Sequence, residues 1–227
     1  MTHCKVSNMK TPYLFLAATM LLAACQYDSY ESGDTSLSYL TTELVDATTN
    51  SEALFTTATT DDGTTLTLRP SYAADWATVA DTTYRALLYH RQVTDGTTSV
   101  ISLRRVTMTP IVSPDTDVTI ATDPLDLESV WVGKNKRYLN MALKIKTGAT
   151  EGEKQLQQVA VVCDSVTQFA SGKAHHWLTL FHKQNNQPEY YTSKVYVSVP
   201  LDHIASGDSI TLKVNTYKGM ISKEIEK

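Results

Sequence analysis

Apolar and polar residues alternate with a period of two along most of this chain, and Thr and Val occupy many of the alternating positions. β-Branched residues in that rhythm suit a pleated, half-buried surface, so the pattern predicts strands. Residues 53–60 and 64–69 flank Asp61-Asp62-Gly63, which predicts a hairpin. Residues 84–93 and 98–108 flank Thr94-Asp95-Gly96-Thr97 and predict a second one. Leu66 and Leu68 then share one face, as do Ala86 and Leu88.

Between the hairpins, residues 70–83 hold Trp76 and several alanines and are expected to form one short helical turn. Residues 110–126 contain Pro110, Pro114 and Pro124, which interrupt strands and helices alike. This stretch reads as a linker between two β units, with a short strand at 118–121. The second half repeats the alternation. Residues 129–133 enter it as a short strand, and residues 138–147 place Leu139, Met141, Leu143 and Ile145 on one face. Residues 155–163 are expected to pair with 138–147. Residues 176–183, 194–200 and 209–217 complete the set, the last two facing Val195, Val197, Val199 and Ile210, Leu212, Val214 inward. Many short strands separated by turn residues, with no long helical periodicity, predict an all-β chain built as barrel or sandwich.

The N-terminus departs from this pattern. Lys10 precedes an apolar run at 13–24 that ends in Leu22-Ala23-Ala24-Cys25. A charged start, a short apolar centre and a small-residue cleavage site are the parts of a secretory signal. The run is too short for a membrane span, which needs about 18 apolar residues. The cysteine marks a lipoprotein box, so Cys25 is expected to become the first mature residue and to carry the lipid. Met9 offers an alternative start with Lys10 beside it. Two or three acyl chains would hold the protein far more firmly than one, at about 0.8 kcal/mol per buried methylene. Residues 26–38 are polar and acidic (Asp28, Glu31, Asp34) and read as a tether. The expected address is the cell envelope, outer-membrane anchored, with periplasmic and surface orientations both open.

The net charge of −4 becomes −6 once a leader holding Lys5 and Lys10 and no acids is removed. That balance argues against nucleic acid, which is held through clustered Lys and Arg. The basic clusters are Arg104-Arg105 and Lys134-Asn135-Lys136-Arg137, read as solvated surface. Of three cysteines, Cys4 leaves with the leader and Cys25 is lipidated, so Cys163 stands alone in an apolar strand as core filling.

Candidate chemistry is sparse. His176 and His182 share a strand face but stand roughly 20 Å apart, too far to hold one ion, and His175 faces the other way. Asp61-Asp62-Gly63 and Asp115-Thr116-Asp117 lack the spacing of a calcium loop and read as turn and linker. No nucleophile elbow or phosphate loop appears. No catalytic residue, metal or cofactor is expected. Three aromatics remain as candidate contacts for a ligand or partner. Trp76 either plugs the first unit or faces a partner, while Tyr190 and Tyr191, in a polar loop beside Pro188, are the better exposed candidates.

The run Trp131-Val132-Gly133 followed by residues 138–145, the Thr60–Leu66 segment, the lipobox leader and the closing strands at 195–199 and 210–214 together resemble the NigD-like lipoproteins of Bacteroidetes. The resemblance covers nearly the whole mature chain and rests on strand patterns and a few aromatics. It implies an N-terminal OB-like barrel followed by a C-terminal β-sandwich, with no catalytic residues to carry over. That family takes its name from a member encoded beside a bacteriocin, which implies an immunity role. The expected organisation is a signal peptide at 1–24, a tether at 25–38, an OB-like barrel at 39–109, the linker at 110–126 and a sandwich at 127–227. The expected function is non-catalytic binding of an unknown protein, immunity-like, with a carbohydrate-binding accessory lipoprotein as the alternative.

Overall fold

The computed structural model describes residues 40–113, 120–148 and 156–227, and all regular structure among them is strand. In chain order the strands are β1 (Thr41–Thr49), β2 (Phe55–Thr60), β3 (Thr65–Tyr72), β4 (Thr83–His90), β5 (Thr97–Thr98), β6 (Val100–Arg105), β7 (Thr107–Met108) and β8 (Ile111–Val112). They continue as β9 (Asp126–Val132), β10 (Tyr138–Thr147), β11 (Gln158–Gln168), β12 (Ala174–Lys183), β13 (Tyr191–Pro200), β14 (Ser209–Thr216) and β15 (Gly219–Glu226). The chain is all-β, as the alternation predicts.

Six strands form the first sheet, ordered β5-β3-β2-β1-β4-β6. It curls until β3 and β6 touch, enclosing Val45, Phe55, Ala58, Leu66, Leu68 and Leu88. Both predicted hairpin turns form, for local reasons. Gly63 adopts φ +91°, and the Asp62 carboxylate accepts the Thr64 amide at 3.0 Å. Asp95 and Gly96 both have positive φ, and Thr94 and Thr97 exchange backbone hydrogen bonds at 2.9 Å across them. Those are the requirements of a tight two-residue hairpin turn.

The remaining strands make two sheets, β7-β13-β10-β9 and β15-β14-β12-β11-β8. Their inner faces share one core that includes Leu139, Met141, Leu178, Val199, Ile210 and Leu212. The second half is thus a β-sandwich, as expected, and it follows a curled six-stranded sheet.

Four expectations are corrected. The linker expected at 110–126 is built into the sandwich at both ends. β8 pairs in parallel with β11, Leu125 is fully buried, and β9 begins at Asp126. Of the short strand expected at 118–121, residues 118–119 lie outside the described residues and Ile120 and Ala121 are not strand. Residues 70–83 form no helix: Ser71 and Tyr72 extend β3, and a turn closes from the Ala77 amide to the Ala74 carbonyl. β11 pairs with β12 rather than with β10, which lies in the opposite sheet between β9 and β13.

Candidate functional site

β4 is buried on both faces. Ala86 and Leu88 point into the curled sheet, while Arg85 and Leu87 point outward and are covered by the sandwich. Leu44, Leu87 and Val106 meet Trp131 and Tyr196 there, giving the contact an apolar part. Beside it lies the densest polar cluster among the described residues.

Arg85, 4% exposed, sits at the centre. Its Nη2 donates to Asp61 Oδ2 at 2.6 Å and to Asn140 Oδ1 at 3.1 Å, and its Nε donates to Ser198 Oγ at 3.1 Å. Its Nη1 lies 3.4 Å from Asp46 Oδ1, and the guanidinium carbon stands 4.2 Å from the centre of the Tyr138 ring. Asp46 also accepts from Arg137 Nη1 at 2.5 Å and from the Tyr138 hydroxyl at 3.3 Å. Asn140 Nδ2 donates to Asp61 Oδ2 at 2.8 Å, and Ser198 donates to Asn140 Oδ1 at 2.8 Å. Burial, followed by the neighbouring Asp46 charge, pushes the Tyr138 hydroxyl above its usual range.

Backbone contacts extend the joint. The Asn135 amide donates to the Asp61 carbonyl at 2.7 Å, docking the β9–β10 turn on the first hairpin. Gly133 sits in close approach, since a Cβ there would lie 3.0 Å from both Cγ and Oδ2 of Asp61. Chemically the cluster is a joint. A buried ion pair holds when further hydrogen bonds satisfy the remaining donors, as Ser198 and Asn140 do here.

Clefts flank it. One of about 340 Å³ is lined by Glu43, Asp61, Asp62, Trp131 and Lys134, among others. Another of about 440 Å³ is lined by Leu87, Tyr89, Arg104, Arg105, Lys194 and Tyr196, among others. A third, of about 450 Å³ and mostly apolar, opens between the sandwich sheets at Ile145, Val159, Tyr191, Val195 and Val197.

The residues singled out from sequence are dispersed. Cys25 lies outside the described residues, as do Asp115 and Asp117. Trp76 packs against Phe55 and Tyr84 at ring distances of 5.3 and 5.5 Å and donates to the Leu103 carbonyl at 3.3 Å, so it stops one end of the curled sheet. Tyr190 and Tyr191 are 75% and 58% exposed. His182 bonds the Asp123 carbonyl and Gln157, His176 pairs with Asp208, and His175 bonds Ser209 and Thr211. Among the described residues no three His, Cys, Asp or Glu groups are placed to share a metal ion. The Asp62 carboxylate is drawn down to about 2 by its bonds to Thr60 and Thr64. Burial, with Asp164 beside it, raises the Cys163 thiol, against the character of a reactive cysteine.

A family model for the NigD-like C-terminal beta sandwich domain matches residues 107–226. The chain belongs to the NigD-like family. The match begins at the first residue of β7, in accord with β7 and β8 being edge strands of the sandwich. Among solved structures, a NigD-like immunity protein from Bacteroides caccae is 28% identical, with a TM-score of 0.62 over 81% of this chain and 91% of that one. A protein of unknown function from Bacteroides vulgatus shares the fold at 13% identity, with a TM-score of 0.64 over 83% and 90%. A provisionally assigned lipoprotein from Bacteroides fragilis does so at 12% identity, with a TM-score of 0.56 over 82% and 97%. Comparison with curated proteins finds no match.

Sequence reasoning missed Arg85, Asp46, Asn140 and Ser198. One signal was available: Leu87 and Tyr89 share Arg85's face, and apolar residues on the outer face of a sheet strand imply a second layer.

Proposed function

We propose that this chain is a lipid-anchored, non-catalytic binding protein of the bacterial envelope that acts as an immunity protein. The observation that carries the reading is the 28% identity, across 81% of the chain, to a NigD-like immunity protein. The Leu22–Cys25 lipobox supplies the address, and the polar joint around Arg85 makes the two β units a stiff support for a binding surface. The test is deletion of the gene in its host, followed by challenge with the bacteriocin encoded nearest to it. Sensitisation is expected, reversed by the wild-type gene and not by Cys25→Ser. Unchanged sensitivity would overturn the immunity reading, and fatty-acid labelling of Cys25→Ser would overturn the anchor.

A second reading, a carbohydrate-binding accessory lipoprotein, is favoured by the exposure of Tyr190 and Tyr191, whose rings offer accessible area for stacking on sugars. Tyr191→Ala should then lower retention on a polysaccharide resin at unchanged melting temperature.

A further inference from the structure

The outer edge of β13 is half open. On one side all ten residues pair with β10, but on the other, among the described residues, only Val197 and Ser198 are paired, to Thr107 and Met108 of β7. Residues 191–196 therefore present an unmatched row of backbone groups about 20 Å long at 3.3 Å per residue. Unprotected edges of this kind accept another strand.

Two clefts lie on opposite faces of this stretch. Strand alternation turns Tyr191, Val195 and Val197 toward the sandwich interior, where they line the 450 Å³ apolar cleft with Ile145 and Val159. The same alternation turns Lys194 and Tyr196 outward, where they line the 440 Å³ cleft with Tyr89, Arg104 and Arg105. An added strand would send its own side chains alternately into the two. One cleft takes apolar groups. The other is cationic through its arginines: Lys194 is paired with Glu128, but Arg104 stacks over Tyr89 at 5.5 Å, and among the described residues neither Arg104 nor Arg105 has a carboxylate within ion-pair distance.

We propose that this edge is a strand-acceptor site for an extended peptide in which acidic and apolar residues alternate over about six positions. β7 already occupies part of the same edge as a short parallel strand, before which the chain turns away toward β6 at Val106, so this edge is one that accepts a strand. The arginines supply the preference for acids, and the apolar cleft supplies the period of two. This goes beyond the immunity reading and is tested separately from it, because it concerns peptide chemistry and not bacteriocin protection.

The test uses the full chain in detergent and a fluorescent, end-blocked hexapeptide alternating glutamate and valine. Binding is expected, along with slowed amide exchange at residues 191–195. The same amino acids arranged in two blocks should bind about tenfold more weakly, and Arg104→Glu with Arg105→Glu should cost a similar factor at unchanged melting temperature. Any of these results would overturn the proposal: no binding at millimolar peptide, equal binding of the block peptide, displacement by polygalacturonate at equal charge, or exchange protection that maps elsewhere. A dimer whose β13 amides are protected without peptide would overturn it in favour of self-pairing.

Discussion

Arg85 Nη2 donates to Asp61 Oδ2 at 2.6 Å, joining the centre of one β4 strand to a hairpin turn 24 residues earlier. The same nitrogen reaches Asn140 of the sandwich, so one guanidinium ties both units together. Such a group is hard to remove. Taking one partner from a buried pair strands the other charge, whereas replacing both with apolar groups can be neutral.

Arg85→Met is therefore expected to lower unfolding stability by about 3–5 kcal/mol, because Asp46 loses one of its buried partners and Asp61 keeps only Asn140 for its part-buried carboxylate. Adding Asp61→Asn should recover at least about 1 kcal/mol, since the stranded charge is gone. Urea unfolding of both variants measures this. A double variant as unstable as the sum of its parts would show that the pair is not coupled.

Gly133→Ala tests the close approach. The new methyl would meet Cγ and Oδ2 of Asp61 at 3.0 Å, and Asp61 cannot yield because Arg85 and Asn140 hold it. A loss of about 1–3 kcal/mol is expected, the usual penalty of overpacking. Gly133→Ala in an Asp61→Ala background should cost much less, which urea unfolding would also read.

These partners explain what the sequence made legible. The hairpin turns at Asp61–Gly63 and Asp95–Gly96 were readable because their requirements are local: positive φ and short polar side chains. Facing residues such as Leu139, Met141 and Leu143 followed from period two alone. β1 was not recognised because Leu44 and Asp46, on its outer face, are buried along with Val45 and Ala47 on its inner face, which blurs the alternation. β15 escaped for the opposite reason, being a charged and mostly exposed edge. The joint stayed hidden because Arg85 finds its partners 24, 39, 55 and 113 residues away, and no spacing rule connects them. Strand partners were equally silent: one alternating face suits β10 against β11 as well as against β13.

Trp76 and Tyr190 are both candidate contacts by sequence, yet they occupy different physical settings. Trp76→Ala should cost about 3 kcal/mol or more, as expected when a large aromatic leaves a ring cluster such as Phe55, Trp76 and Tyr84. Tyr190→Ala, at a position 75% exposed, should stay within about 0.5 kcal/mol of wild type. Thermal melts of the two variants separate a packing role from a contact role. Equal losses would place Tyr190 in the core budget instead.

Asp208 gives the fold a dependence on acid. Its carboxylate accepts the backbone amide of Ala174 at 2.9 Å and that of Ala205 at 3.2 Å, and pairs with His176 at 3.1 Å. The Ala174 bond and then the His176 bond hold its pKa below the usual carboxylate range. The folded state thus binds this proton less readily than the unfolded one. The resulting stability is present in full above the unfolded value of about 3.9 and drains away as pH falls through the lower folded value. Asp208→Asn removes the charge and with it that contribution. The melting-temperature gap between wild type and Asp208→Asn should therefore be wide at about pH 6 and should narrow steadily below about pH 4. A gap that is unchanged at about pH 2 would mean that the carboxylate's charge contributes nothing and that only the geometry of its hydrogen bonds matters.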